Sequence, residues 1–378
     1  MSEPREDPLK AVARALARLE ELLDRMPVGV AQDLRGRITL LRTLMLEKRP
    51  PALVLVGRRG AGKSSLVNAL FGAKMAALGH VTAQTGRGRW YDYERSGGAM
   101  SILDTRGLQE GSRPAEADAA KTAIESLALE LRKKAPDLIV FVAKASEVDA
   151  AVEPDLDILE KVCEEVRRAH GSEPPLIAVV THCDLLEPKS TRLHRPSGDP
   201  SEDIDEKLRH VSAAERAIGT KVDDRGRLSP RHVATVGVST YMSWREDGTL
   251  RADERWRIDD LAVTLFRHLP DASRAELARA TQARVVQEEL ATTLTKSTAA
   301  VCAGVAAAPI PLADIVPLTT LQAGLVASIA WIAGRSLDRR GSTEFLASLG
   351  ANVGVAFALR EAVRAIAKVV APGCGTVV

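Results

Sequence analysis

The nine residues from Gly57 to Ser65, GRRGAGKSS, constrain this chain more than any other feature. They satisfy the pattern GxxxxGK[ST], whose glycines let a loop wrap its backbone N–H groups around a phosphate chain with no Cβ in the way. Before the loop, Ala52 to Val56 is a short unbroken apolar run, the pattern of a parallel strand covered on both faces. After it, Ser64 to Phe71 is helix-compatible and Gly72 supplies a stop. Strand, glycine loop and helix in that order predict a nucleoside triphosphate site. Gly57, Arg58, Arg59, Gly60, Ala61, Gly62, Lys63, Ser64 and Ser65 would line it. Lys63 would reach the β- and γ-phosphates, Ser64 would hold Mg²⁺, and the helix N-terminus would favour the anion.

From Ala52 to about His268, short apolar runs alternate with helical stretches; Ser101 to Leu103, Asp137 to Val142, Leu176 to Val180 and Val233 to Val238 are the strand candidates. That alternation predicts an α/β fold, a mostly parallel sheet with helices on both faces. A chain of 378 residues has room for two or three cores. The pattern divides it into N-terminal amphipathic helices over 1–50, a nucleotide domain over 51–269 and a C-terminal all-helical domain over 270–378. In the first segment Leu9, Val12, Leu16, Leu19 and Leu23 share one helical face, and Val30, Leu34, Ile38, Leu41 and Met45 another. Both faces require a partner surface. The polar stretch 188–206 reads as an exposed insertion.

The net charge of +2 announces no nucleic-acid surface, so no nucleic-acid partner is expected. Cys163, Cys183, Cys302 and Cys374 have neither disulfide nor metal spacing. The N-terminus is too polar for a secretory signal, which predicts a cytoplasmic location.

Two further motifs follow in order. DTRG, from Asp104 to Gly107, is DxxG at a strand end: Asp104 can act on Mg²⁺ through water, and the Gly107 N–H can sense the γ-phosphate. THCD, from Thr181 to Asp184, is a variant of [NT]KxD in which Asp184 would accept two hydrogen bonds from guanine. His182 stands where that pattern has a lysine lying along the base. Ser239, after the last strand candidate, falls where a backbone contact to the guanine oxygen is made.

With GRRGAGKSSLVNALFG, DTRG, THCD and VGVST in sequence, the segment from Ala52 to Leu269 resembles the Era-like P-loop GTPases. The loop is also similar to that of the immunity-related GTPases, which share the glycine at Gly60 and the NAL after it. The resemblance implies a P-loop GTPase domain that converts GTP to GDP with Mg²⁺. It makes Thr85 the switch threonine, with Thr82 the runner-up, so that Ser64, Thr85 and Asp104 attend the metal and Lys63, Thr85 and Gly107 the reacting phosphate. Leu108 replaces the glutamine that orients water in Ras-type enzymes, an apolar replacement common to the Era-like class, so hydrolysis should be slow. Gly60 stands where potassium-activated members have asparagine, and potassium stimulation is not expected. Arg58, Arg59 and Arg106 are candidates for an arginine finger, acting in cis or across a G-domain homodimer.

The C-terminal segment changes character. Ser273 and Glu276 have the spacing of a capping box opening a charged helix to about Lys296. From Ser297 to Gly334 the only charged residue is Asp314, and prolines divide the stretch in two. The pieces are about 18 and 25 Å long, short of a hydrocarbon core of about 30 Å. Two readings stay open: a packed helical domain, and a hairpin dipping into one leaflet at the inner face of a membrane. The run IPLADIVPLTTLQ resembles the helical domain of unknown function that follows Era-like G domains in bacteria, which implies membrane engagement. Three roles follow: a nucleotide switch controlling helical-domain conformation, self-association or membrane attachment; a GTP-gated scaffold with little turnover; and a ribosome- or RNA-associated GTPase.

Overall fold

The unbroken apolar runs form the interior of a sheet. The computed structural model describes residues 8–24, 26–75, 89–104, 123–148, 152–194, 202–307 and 315–335. Every residue of β1 (Ala52–Val56) is buried, because the strand lies mid-sheet with helices on both sides. It pairs in parallel with β3 (Gly98–Asp104) and β4 (Leu138–Lys144), and β5 (Leu176–Thr181) and β6 (His232–Gly237) continue the parallel run. The edge strand β2 (Arg89–Arg95) is antiparallel to β3, giving the order β2-β3-β1-β4-β5-β6. No apolar run marks β2. Its exposed charges are those of a sheet edge, where they discourage further pairing.

One face of the sheet packs on α4 (Ala123–Lys133), α5 (Glu153–His170) and α6 (Glu202–Asp223), with Phe141, Leu159, Val166 and Ile218 fully buried. The other face sets Leu53, Leu55 and Val140 against Leu66 and Leu70 of α3 (Lys63–Phe71) and Leu261 and Leu265 of α7 (Ile258–His268). A hairpin of β7 (Met242–Trp244) and β8 (Leu250–Asp253) precedes α7. All five strand candidates form strands, and the phosphate loop leaves β1 at the carboxyl edge of the sheet.

The capping box expected at Ser273 and Glu276 is absent. The helix α8 (Asp271–Thr281) already runs through both residues; Ser273 Oγ lies 3.4 Å from Asp137 Oδ2, and Glu276 accepts the Ala99 N–H at 3.0 Å. Gln282, at φ 56°, ends that helix before α9 (Arg284–Ala307) begins. Burial against the sheet, rather than helix capping, decides what these two side chains do.

The chain divides into two compact units, Leu46–Thr293 and Met1–Met45 with Leu294–Val378. In the second, α1 (Pro8–Leu23) packs on α2 (Val28–Met45) and α10 (Ile315–Ile332). Val12, Leu16, Leu19, Leu34, Ile38, Leu41 and Met45 are buried, whereas Val30 stays half exposed and the Leu9 side chain lies outside the described residues. Gly304 of α9 and Gly324 of α10 admit these side chains closely: a Cβ on Gly304 would stand 2.6 Å from Leu34 Cδ1, and one on Gly324 would overlap Val12. The amphipathic N-terminal faces thus find their partner in the small-residue helices of the C-terminal segment. Among the described residues, no helix is long and apolar enough to cross a membrane.

Candidate nucleotide site

The loop between β1 and α3 is pressed into the sheet. A Cβ on Gly57 would overlap the Val142 carbonyl oxygen of β4, so only glycine lets the chain turn there. Gly60 and Gly62 then take φ of 78° and 92°, a left-handed geometry that favours glycine, and the Ala61 N–H between them donates to Arg58 O at 3.2 Å. Lys63, 5% exposed, folds back over the loop and donates to Gly57 O at 2.5 Å and Arg58 O at 3.0 Å. Its ammonium is thereby held against two carbonyls of the loop. Ser64 and Ser65 follow in the first turn of α3, half-buried.

The base motif is tied directly to this loop. Thr181, at the end of β5 and fully buried, donates its hydroxyl proton to Ala61 O at 2.7 Å, with Ala143 O at 3.2 Å. With that proton engaged, the 2.9 Å contact between Thr181 Oγ1 and His182 Nδ1 has the imidazole as donor. His182, at φ 58°, lays its ring on the loop, with Cε1 3.2 Å from where a Cβ on Gly62 would stand. Burial holds its pKa below the ordinary value, with Lys144 pushing the same way and Asp184 and Glu147 opposing.

Asp184 sits in the short turn Cys183–Leu185, half-buried. A lysine far along the chain positions it. Lys207 of α6 is fully buried and donates to Asp184 O at 2.6 Å, Thr191 O at 2.7 Å and Pro188 O at 3.2 Å. All three ammonium protons are satisfied, and burial lowers its pKa. Cys183, its thiol pushed up to about 12 by burial, is an inert packing residue.

Ser239 is buried after β6, but its amide donates to Trp256 O at 3.1 Å and its carbonyl accepts from Trp256 N at 3.0 Å. The next residue, Thr240, is also buried. Glu215 of α6 braces this corner, accepting from Gly237 N at 2.6 Å and from Arg257 at 2.8 Å.

Of the arginines beside the loop, Arg58 is engaged. Its Nε donates at 2.8 Å to Asp155 of α5, whose side chain is 1% exposed, and its NH1 lies 3.6 Å from Glu147. Burial raises the Asp155 pKa against the opposing pull of Arg58 and Lys63. Arg59 is exposed. Asp104 ends β3 in register with Leu55 of β1, which sets its backbone beside the start of the loop; its side chain lies outside the described residues. Thr82, Thr85, Arg106, Gly107 and Leu108 also lie outside them.

The structure therefore brings together Gly57 to Ser65, Thr181 and His182, with Asp184 one turn beyond. Lys207, Glu215, Asp155 and Lys144 support that arrangement, and no motif announces them. Lys207 and Glu215 left one sequence signal, a charged residue among the apolar positions of α6, whereas Asp155 lies in the first turn of α5 and Lys144 ends β4.

Residues 52–182 match a family model described as 50S ribosome-binding GTPase. Among curated proteins, the chain is 26% identical to GTPase Der of Deinococcus deserti over 223 residues, covering 58% of this chain and 43% of that one. It is 30% identical to the tRNA modification GTPase MnmE of Xanthomonas campestris pv. campestris over 179 residues, 43% of this chain and 39% of that one. The chain thus spans about two fifths of the length of these relatives. A solved structure described as LeoA bacterial dynamin GTPase from ETEC overlays with a TM-score of 0.41 at 18% identity, over 77% of this chain and 49% of that chain. The matched segment, on a mostly parallel sheet with helices on both faces, has the α/β fold of a P-loop GTPase domain.

Proposed function

We propose that this chain binds GTP with Mg²⁺ and hydrolyses it slowly to GDP and phosphate, as a nucleotide switch. The observation that carries the reading is the hydrogen bond from Thr181 to Ala61, which locks the base motif onto the phosphate loop that holds Lys63. A triphosphate would take the loop N–H groups, and Lys63 would exchange its loop carbonyls for β- and γ-oxygens. Asp184 would accept from the guanine ring. The Ser239 amide, held by Trp256 O, would exchange that bond for the guanine oxygen.

The donor set suits Mg²⁺: Ser64, Asp104 and Thr85 offer hard oxygen ligands beside phosphate oxygens. Bound there, the ion would offset charge on the phosphates. In hydrolysis, a water oxygen bonds to the γ-phosphorus as its bond to the β–γ bridging oxygen breaks. Lys63 and the loop amides stabilise the charge left on the departing diphosphate. The side chain of Leu108 has no group to hydrogen-bond that water, so the rate should be slow.

Multiple-turnover phosphate release tests the activity, and a scaffold without turnover is the outcome that defeats it. Asp184→Asn should lower GTP affinity by about 10²–10⁴, from two lost charge-assisted hydrogen bonds, and favour xanthosine triphosphate. Unaltered base preference would defeat the guanine assignment. The switch output is the helical unit, through its conformation, self-association or membrane attachment. Hydrogen exchange, light scattering and vesicle flotation with GDP against a non-hydrolysable GTP analogue separate these outputs, and identical behaviour in both states would remove the switch.

A ribosome or RNA partner is the second reading. The family description and the name of MnmE favour it, and it replaces the expectation of no nucleic-acid partner. Co-sedimentation of the GTP-bound chain with ribosomal subunits tests it.

A further inference from the structure

The base motif has His182 where the resembled pattern has lysine, and burial holds the pKa of the ring below its ordinary value. That side of the site therefore lacks the fixed charge that an ammonium at position 182 would bring. The neighbouring strand supplies one. Register in the sheet aligns Lys144, the last residue of β4, with Thr181. From there its side chain reaches the phosphate loop, with Nζ 3.7 Å from where a Cβ on Gly60 would stand.

Gly60 has no side chain to cover this ammonium, and His182 lies against the next glycine, Gly62. Lys144 thus stands between the phosphate loop and the base motif. Among the described residues its ammonium donates one hydrogen bond, to Glu147 Oε1 at 3.1 Å. An ammonium has three donors, so this bond leaves capacity for a ligand. The side chain is 28% exposed, enough to meet a nucleotide and too little to be an ordinary surface charge.

We propose that Lys144 is a second cation of nucleotide recognition beside Lys63, binding the oxygens where the phosphates meet the sugar, on the side of the site where His182 replaces the lysine of the pattern. This rests on the guanine-nucleotide reading above. Because that junction is common to GDP and GTP, Lys144 contributes to affinity for both and does not choose between the two states.

Equilibrium binding of fluorescent GDP and GTP analogues to the full chain tests the assignment. Lys144→Met and Lys144→Gln should each weaken both nucleotides by about tenfold or more, the effect of one charge-assisted hydrogen bond. His182→Lys, added to Lys144→Met, should restore most of the loss, whereas Glu147→Gln should retain parent affinity or exceed it. Thermal melting of every variant without nucleotide separates binding from folding. Parent affinity in both Lys144 variants overturns the proposal. So does a loss that Glu147→Gln reproduces, or one that His182→Lys fails to rescue in variants melting with the parent. Should both Lys144 variants unfold, the ammonium is structural and the proposal also fails. Lys63→Ala and Asp184→Asn, measured in parallel, keep the two readings apart. If they weaken binding and the Lys144 variants do not, only this assignment falls; if they too leave binding unaltered, the nucleotide site itself is wrong.

Discussion

At the phosphate end of the site, nine consecutive residues make a loop from backbone, while the base end is assembled from β5, β6, α6 and the segment around Trp256. The first needs little beyond glycines, because its binding groups are main-chain N–H donors and one lysine. The second presents a carboxylate and an amide on turns that need bracing: Lys207 gathers three carbonyls under Asp184, and Glu215 holds Gly237 and Arg257. The contrast teaches that a backbone-made site carries its own scaffold, whereas a side-chain-made one borrows it from distant helices. Its weak points therefore differ. The phosphate end should fail by steric intrusion and the base end by loss of buried polar supports.

The most damaging change should be Gly57→Ala. The added Cβ would overlap the Val142 carbonyl oxygen, and neither backbone can yield without breaking β1–β4 pairing. We expect a loss of roughly 3 kcal/mol in denaturant unfolding together with nucleotide binding. A variant of parent stability would show the loop to be less tightly seated than its geometry states.

Next comes Lys207→Met, which keeps the volume and removes the ammonium. Three buried carbonyls would lose their donor, at about 2–3 kcal/mol. If the halves are scaffolded separately, guanine selectivity should suffer while affinity for inorganic triphosphate persists. Equal loss of both in competition binding would erase the distinction drawn between them.

A smaller effect is expected from Arg58→Met, which leaves Asp155 buried without its guanidinium partner, at about 1–2 kcal/mol. As a brace between loop and α5, Arg58 should affect stability more than turnover at saturating GTP. The reverse result in phosphate-release assays, a large drop in kcat at unaltered stability, would make it the finger after all.

The smallest effect is a pH dependence. His182 has its pKa below the ordinary value of 6.5, so the unfolded chain takes up a proton there more readily than the folded one. The stability this contributes is present above 6.5 and is lost as pH falls through the folded value. His182→Gln should flatten that slope in melts between pH 7 and 5; an unaltered slope would assign it to another group.

Much of the nucleotide unit was legible because its elements advertise themselves locally. Apolar runs bounded by glycine, proline or polar loops marked all five parallel strands, and the loop pattern set Lys63 and the helix behind it. The edge strand β2 was not legible, since an exposed strand has no need of an apolar run. The capping box at Ser273 and Glu276 misled because a local motif competes with burial, and burial placed these side chains against Asp137 and Ala99. The amphipathic faces of α1 and α2 declared that they required a partner, without saying which.

By itself, the sequence determined that this chain makes a phosphate-cradling loop between a buried strand and a helix, because glycine spacing and hydrophobic runs act over a few residues. Only the tertiary structure decided which distant side chains serve that loop. Strand register sets Lys144 beside Thr181, and α6 carries Lys207 under Asp184. Likewise, packing of small residues joins the two ends of the chain in one helical unit. Such pairings depend on sheet order and helix packing, which couple residues far apart in the chain and leave no mark in the local pattern.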